Sequence, residues 1–196
     1  LRENSPLRAD FSKWRTDRQI SGKIRDRWAE VAARAVPLYD GNDSPTLVEF
    51  SDYECPFCRA QHPIVDSAVA MGARVAIIHV PIASHKNAYR AAVAAVCAKS
   101  GSEFRVIHNH LLSTDAWMRD TSIAALFGRD SASASEREAC SRDRTATATV
   151  DAHLEMALSL GIRGTPTYAT RVGLIRAKST DELRNELRKL SGARPD

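Results

Sequence analysis

Two cysteines separated by two residues, in Cys55-Pro56-Phe57-Cys58, are the side chains of this sequence best placed to do chemistry. Sulfurs three positions apart can close a small disulfide ring when one helical turn holds them on the same face. Pro56 suits the first position of a helix, because it has no N–H to leave unpaired and its φ is already near the helical value. That puts Cys55 at the N-cap, in the positive end of the helix macrodipole, which favours thiolate over thiol. The chemistry these residues point to is redox exchange. The remote alternative is a zinc-binding structural module on Cys55 and Cys58, and a ribbon-type site wants a second CxxC or CxxH knuckle that the sequence does not contain.

The chain has four cysteines, which allow three pairings. Spacing favours Cys55 with Cys58 and leaves Cys97 and Cys140 as a candidate structural disulfide closing a loop of about 43 residues. The competing reading is two buried free thiols acting as small apolar residues. None of the six histidines falls in HExxH or another ligand spacing, so each reads as a satisfied or exposed structural residue and no metal site is expected. Glu49 lies in the apolar run before the dithiol. Strand alternation puts it on the opposite side from Val48 and Phe50, either structural or on the surface.

These residues need elements to position them. Leu47, Val48 and Phe50 predict a strand over 46–51, and Pro56 to about Met71 a helix in which Pro63 should make a kink. Arg74 to Val80 is a β-branched run ended by Pro81, a second buried strand, so the unit is βαβ. Ahead of it, apolar residues from Leu7 to Ala35 step by threes and fours and predict one or two amphipathic helices, with a break at Ser21-Gly22 and Ser21 as cap. Val36 to Ser44 reads as a short extended segment and a turn at Gly41-Asn42-Asp43.

Residues 86–160 are helical in pattern, with helices over 88–98, 102–113, 121–127 and 136–160 and a Ser/Ala-rich loop at 128–135. After Gly161 the chain turns strand-like. Gly164-Thr165-Pro166-Thr167-Tyr168 runs on to Thr170, a turn near Val172-Gly173 follows, and Leu174 to Ala177 completes a hairpin. A last helix over 180–191 has Thr180 as N-cap and buries Leu183, Leu187 and Leu190.

The composition is 43% apolar and 27% charged over 196 residues, ordinary for a globular chain with a full core. No apolar run approaches the roughly 20 residues that span a bilayer. The net charge of +4 comes from scattered Lys and Arg without interleaved aromatics, which argues against a nucleic-acid partner. Residues 1–30 are polar and charged, unlike a signal peptide, and the start at Leu1 suggests that an export signal or anchor has been removed.

With a CxxC opening the first helix of a βαβ pattern, the sequence resembles the thioredoxin superfamily and, within it, the DsbA-like thiol–disulfide oxidoreductases. The matching residues are Val48 to Cys58, Gly164-Thr165-Pro166-Thr167, and the helical block with His85 and the Ala-rich helix ending at Cys97-Ala98. The likeness covers roughly residues 36–191 and implies an α/β thioredoxin fold (βαβ…ββα) with an inserted helical domain. The expected divisions are an N-terminal helical extension (1–35), the thioredoxin fold (36–85 and 161–196), and the inserted helical domain (86–160).

The resemblance implies an enzyme with Cys55 as exposed nucleophile and Cys58 as buried resolving thiol. It implies a cis Pro166 whose loop turns the Thr165 backbone toward the cysteines and toward a substrate strand. It also places Glu49 beneath the cysteines as a proton shuttle for Cys58. Cofactors are not implied. Partners would be unfolded or partly folded exported proteins and a membrane or soluble protein that resets the disulfide, in an extracytoplasmic setting such as the periplasm. A reductase or isomerase of the same fold is the alternative. Relatives that are strong oxidants often carry Pro-His between the cysteines, and Phe57 offers neither charge nor donor, so a milder oxidant is expected.

Overall fold

The computed structural model describes residues 6–41, 43, 46–120, 122, 124–127, 134–175, 177 and 179–191. In chain order, helices α1 (Pro6–Asp26) and α2 (Trp28–Arg34) lead into strands β1 (Val36–Pro37) and β2 (Leu47–Ser51). Helix α3 (Pro56–Ala70) crosses to β3 (Val75–His79). Helices α4 (Ala88–Val96), α5 (Gly101–Ser113), α6 (Ala116–Arg119), α7 (Ala134–Ser141) and α8 (Arg144–Leu160) follow. The hairpin β4 (Thr167–Thr170) and β5 (Gly173–Ile175) and helix α9 (Thr180–Ser191) end the described chain.

The sheet runs β1-β3-β2-β4-β5, with β2 and β3 parallel and every other neighbouring pair antiparallel. β2 and β3 are buried at every residue, as strands covered on both faces must be. Their side chains alternate between two apolar layers. Leu47, Val75 and Ile77 face Val65 and Ala68 of α3, Phe104 and Leu111 of α5 and Leu183 of α9. Val48, Phe50, Ala76 and Ile78 face Ile24 and Val31 of the first two helices and Met156, Ala157 and Leu160 of α8. The α/β thioredoxin-type layering expected from the sequence is the one observed. Among the described residues no helix is long and apolar enough to cross a membrane.

Several local expectations are corrected. α1 runs unbroken through Ser21-Gly22, and the interruption falls at Arg27. Tertiary contact takes the Ser21 hydroxyl away from capping: it accepts the Leu174 N–H at 3.1 Å and pins α1 to β5. Gly173 makes that approach possible, since it holds φ at +121° and a Cβ there would lie 2.7 Å from the Ser21 Cβ. Pro63 is no correction, since it lies inside α3 as expected. The short helix expected over 121–127 is instead α6, further upstream, and a 3-10 turn at Ala124–Leu126. At α9 the accepting side chain is Ser179, which takes the Glu182 N–H at 3.3 Å, one residue before the Thr180 expected as cap. Asn42 of the expected turn, 128–133 of the expected loop, 176 in the expected last strand and the Leu190 side chain lie outside the described residues.

Candidate active site

The dithiol sits where β2 hands over to α3. Cys55 is the N-cap of α3 in extended conformation (φ −68°, ψ 121°), Pro56 begins the first turn, and Cys58 lies within that turn. Cys97 and Cys140 are joined in a disulfide, whereas Cys55 and Cys58 are unbonded thiols. One expectation is corrected: Cys55 is not exposed. It retains 3% of its accessible surface against 1% for Cys58, and the Thr165 carbonyl lies 3.5 Å from its sulfur. The exposed side chain of the motif is Phe57, at 66%.

The Thr165–Pro166 bond is cis. Thr165 meets Cys55 through its backbone, and its buried hydroxyl is near enough to Cys58 to favour that thiolate. β4, which starts at Thr167, pairs with β2 so that Tyr168 lies opposite Glu49. The loop and the dithiol are thus held together by the sheet itself.

Glu49 is enclosed at 1% exposure, on the face of β2 that carries Leu47, and so is not a surface residue. Ser51 donates its hydroxyl to Glu49 Oε1 at 2.8 Å, and Oε2 has no partner among the described residues. Burial pushes the carboxyl up to about 7, against the smaller opposing effect of the Ser51 hydrogen bond. Burial also raises the Cys58 thiol well above its ordinary value, and the nearby Glu49 charge adds to the rise. The Asp52 N–H, 3.5 Å from the Cys58 sulfur, opposes it. A buried acid that titrates near neutrality beside a reluctant thiol is suited to passing a proton.

Sequence reasoning passed over Asp52, although an aspartate accepting from the N–H two residues ahead is an Asx-turn signal. Its carboxylate accepts the Glu54 and Cys55 N–H groups at 2.8 and 3.2 Å and builds the loop that delivers Cys55. It also passed over a cluster of buried rings. Tyr53 Oη lies 3.1 Å from His108 Nδ1; His79 packs tilted against Tyr53, His62 edge-on against His108 and His153 tilted against His79, at centroid distances of 5.4–5.5 Å. The expectation of satisfied or exposed histidines fails at His79, which is buried with neither ring nitrogen partnered among the described residues. Burial lowers His62, His79, His108 and His153, with His108 falling to about 3. No trio of histidine, cysteine or acidic side chains among the described residues is arranged to hold a metal ion.

Comparison with known proteins agrees with this geometry. The Thioredoxin_4 family model, described as thioredoxin, matches residues 40–187. No curated protein sequence matches the chain significantly. Among solved structures, the thiol-disulfide exchange protein alpha-DsbA2 from Wolbachia pipientis superposes with a TM-score of 0.73 at 20% identity, over 89% of this chain and 97% of that one. A thioredoxin-like oxidoreductase from Silicibacter pomeroyi gives 0.66 at 24% identity, over 82% and 94%. A periplasmic thioredoxin-like protein from Salmonella enterica serovar Typhimurium gives 0.60 at 20% identity, over 82% and 91%. These structures share the fold, and the family model spans most of the sequence, so the chain belongs to the thioredoxin family.

Proposed function

We propose that the chain is a thiol–disulfide oxidoreductase that exchanges disulfides with exported proteins in an unfolded or partly folded state. In the oxidising direction a substrate thiolate attacks the Cys55 sulfur of the Cys55–Cys58 disulfide. The enzyme S–S bond breaks, Cys58 leaves as thiolate and takes a proton from Glu49, and a mixed disulfide remains on Cys55. A second substrate thiolate then attacks the substrate sulfur of that bond, releasing a substrate disulfide and the Cys55 thiolate. Two electrons have moved from substrate to enzyme, and a redox partner removes them by the reverse chemistry. Run backwards, the same steps reduce or isomerise; the potential of the pair against its partner sets the direction.

The observation that carries the reading is the Thr165 carbonyl 3.5 Å from the Cys55 sulfur, with Cys58 deeper in the same helical turn. The backbone beside that carbonyl can pair with an extended substrate strand, which accounts for sequence-tolerant binding. An extracytoplasmic location is supported by the Cys97–Cys140 disulfide and by the likeness to the periplasmic thioredoxin-like protein of Salmonella. In this reading 36–85 and 161–196 form the exchange unit, 86–160 is an inserted helical domain and 1–35 an extension. The test is incubation of the oxidised protein with a reduced, unfolded protein of known disulfides. Wild type should deliver disulfides and Cys55→Ser should not; offered a disulfide-bonded unfolded protein instead, the Cys55 thiolate of Cys58→Ser should attack it and accumulate as a mixed disulfide, releasing one substrate thiolate. Unchanged substrate thiols with the wild type would sink the proposal.

A further inference from the structure

Asp52 touches both redox cysteines yet takes no part in the exchange steps. Its N–H donates to the Cys58 sulfur, and its Oδ1 accepts the Cys55 N–H at 3.2 Å. The Cys55 nitrogen is three bonds from its sulfur, close enough for a carboxylate charge to disfavour the thiolate. The second oxygen, Oδ2, accepts the Ile82 N–H at 2.7 Å and meets His85 Nδ1 at 2.8 Å. The Asp52 side chain is wholly enclosed and the His85 side chain 23% exposed. Water therefore screens the carboxylate poorly, and its field reaches the sulfur.

Three of the four donors on this carboxylate are backbone amides. The fourth, the His85 imidazole, is the one able to carry a full positive charge. The other acid of the loop is already engaged, since Glu54 Oε2 accepts the Asn87 N–H at 2.7 Å. The control group thus comes from the loop after β3, and no substrate-contacting residue need move for its charge to be felt at Cys55.

We propose that Asp52 and His85 form a charge pair, and that His85 is a positioning residue that sets the reactivity of Cys55 by neutralising Asp52. The proposal rests on the redox reading of the dithiol. A cation at His85 offsets the carboxylate, stabilises the Cys55 thiolate and so favours the reduced protein, which makes the disulfide a stronger oxidant.

The test compares wild type, His85→Gln, Asp52→Asn and the double variant at pH 6. Two quantities are read on each full chain: the iodoacetamide alkylation rate of Cys55 in a Cys58→Ser background, and the equilibrium constant of the dithiol with glutathione. Gln keeps a donor for Asp52 but no charge, so His85→Gln should lower both by about tenfold, which for the potential is about 30 mV toward reducing. Asp52→Asn should raise both, and the double variant should return to within about threefold of wild type. If His85→Gln and Asp52→Asn move the readouts in the same direction as each other, the loop is distorted and the charge pair is overturned. If Asp52→Asn does not fold, an unchanged His85→Gln is enough to overturn it. A wild type that fails to equilibrate with glutathione would defeat the redox reading instead, and the alkylation rates would still test the pair.

Discussion

Burial does to Glu49 what proton transfer at a buried thiol requires. The unfolded carboxyl titrates near 4.5 and the folded one near 7. Between those values the folded state holds a proton that the unfolded chain has released, so this residue makes stability fall as pH rises. The loss is about 3 kcal/mol across the window, on the order of 1.4 kcal/mol per pH unit. Glu49→Gln should lose this slope and slow disulfide delivery; urea midpoints at several pH values between 4.5 and 8 measure the first, and the wild-type slope in the variant would refute it. Phe57 belongs to the same scale. With its ring 66% exposed and offering no donor, it leaves the thiolate to the helix N-terminus and the loop. Phe57→His should shift the glutathione equilibrium toward a stronger oxidant by roughly tenfold, about 30 mV.

At the scale of elements, the dithiol is only as well placed as α3, and α3 is fixed from several sides. Arg59, next to Cys58, reaches the Leu111 and Thr114 carbonyls at 3.0 and 2.7 Å, so the end of α5 holds the first turn in place. α4 is in turn tied to α7 by Cys97 and Cys140, across a sequence separation of 43. On chain-entropy grounds a loop of that length contributes about 4 kcal/mol. Replacing both cysteines by serine should lower unfolding stability by that order, read by urea denaturation, while leaving the Cys55–Cys58 glutathione equilibrium unchanged. The close fit of α5 explains Gly101 as well: a Cβ there would lie 2.1 Å from the Tyr39 carbonyl oxygen. Where periodicity alone decides an element, as in β2, β3 and α5, the sequence located it within a residue or two. It misplaced those that neighbours decide, such as the unbroken α1 held by β5.

For the whole molecule, the unusual expense is a core that encloses four histidines between the sheet and the helices. Each binds its proton more readily in the unfolded chain, because burial penalises the imidazolium. Their contribution to stability is therefore in place above the ordinary imidazole value near 6.5 and is lost as pH falls below it. For His108 the loss continues to about pH 3. Four groups acting in this sense outweigh the opposite slope of Glu49. The protein should unfold at lower urea at pH 5 than at pH 7; equal or greater stability at pH 5 would mean that these rings charge without unfolding.

The sequence by itself determined the dithiol at a helix start, the βαβ unit that carries it and the Thr-Pro loop, because turn chemistry and apolar periodicity act over a few residues. The partners of those residues were decided only by the fold. The Thr165 carbonyl reaches Cys55 across 110 positions and His85 reaches Asp52 across 33, and no local pattern encodes either pairing. The same holds for the titration of Glu49 and the neutral state of the histidines. Both depend on how much water the packed layers exclude, a property of the assembled core and not of any residue within it.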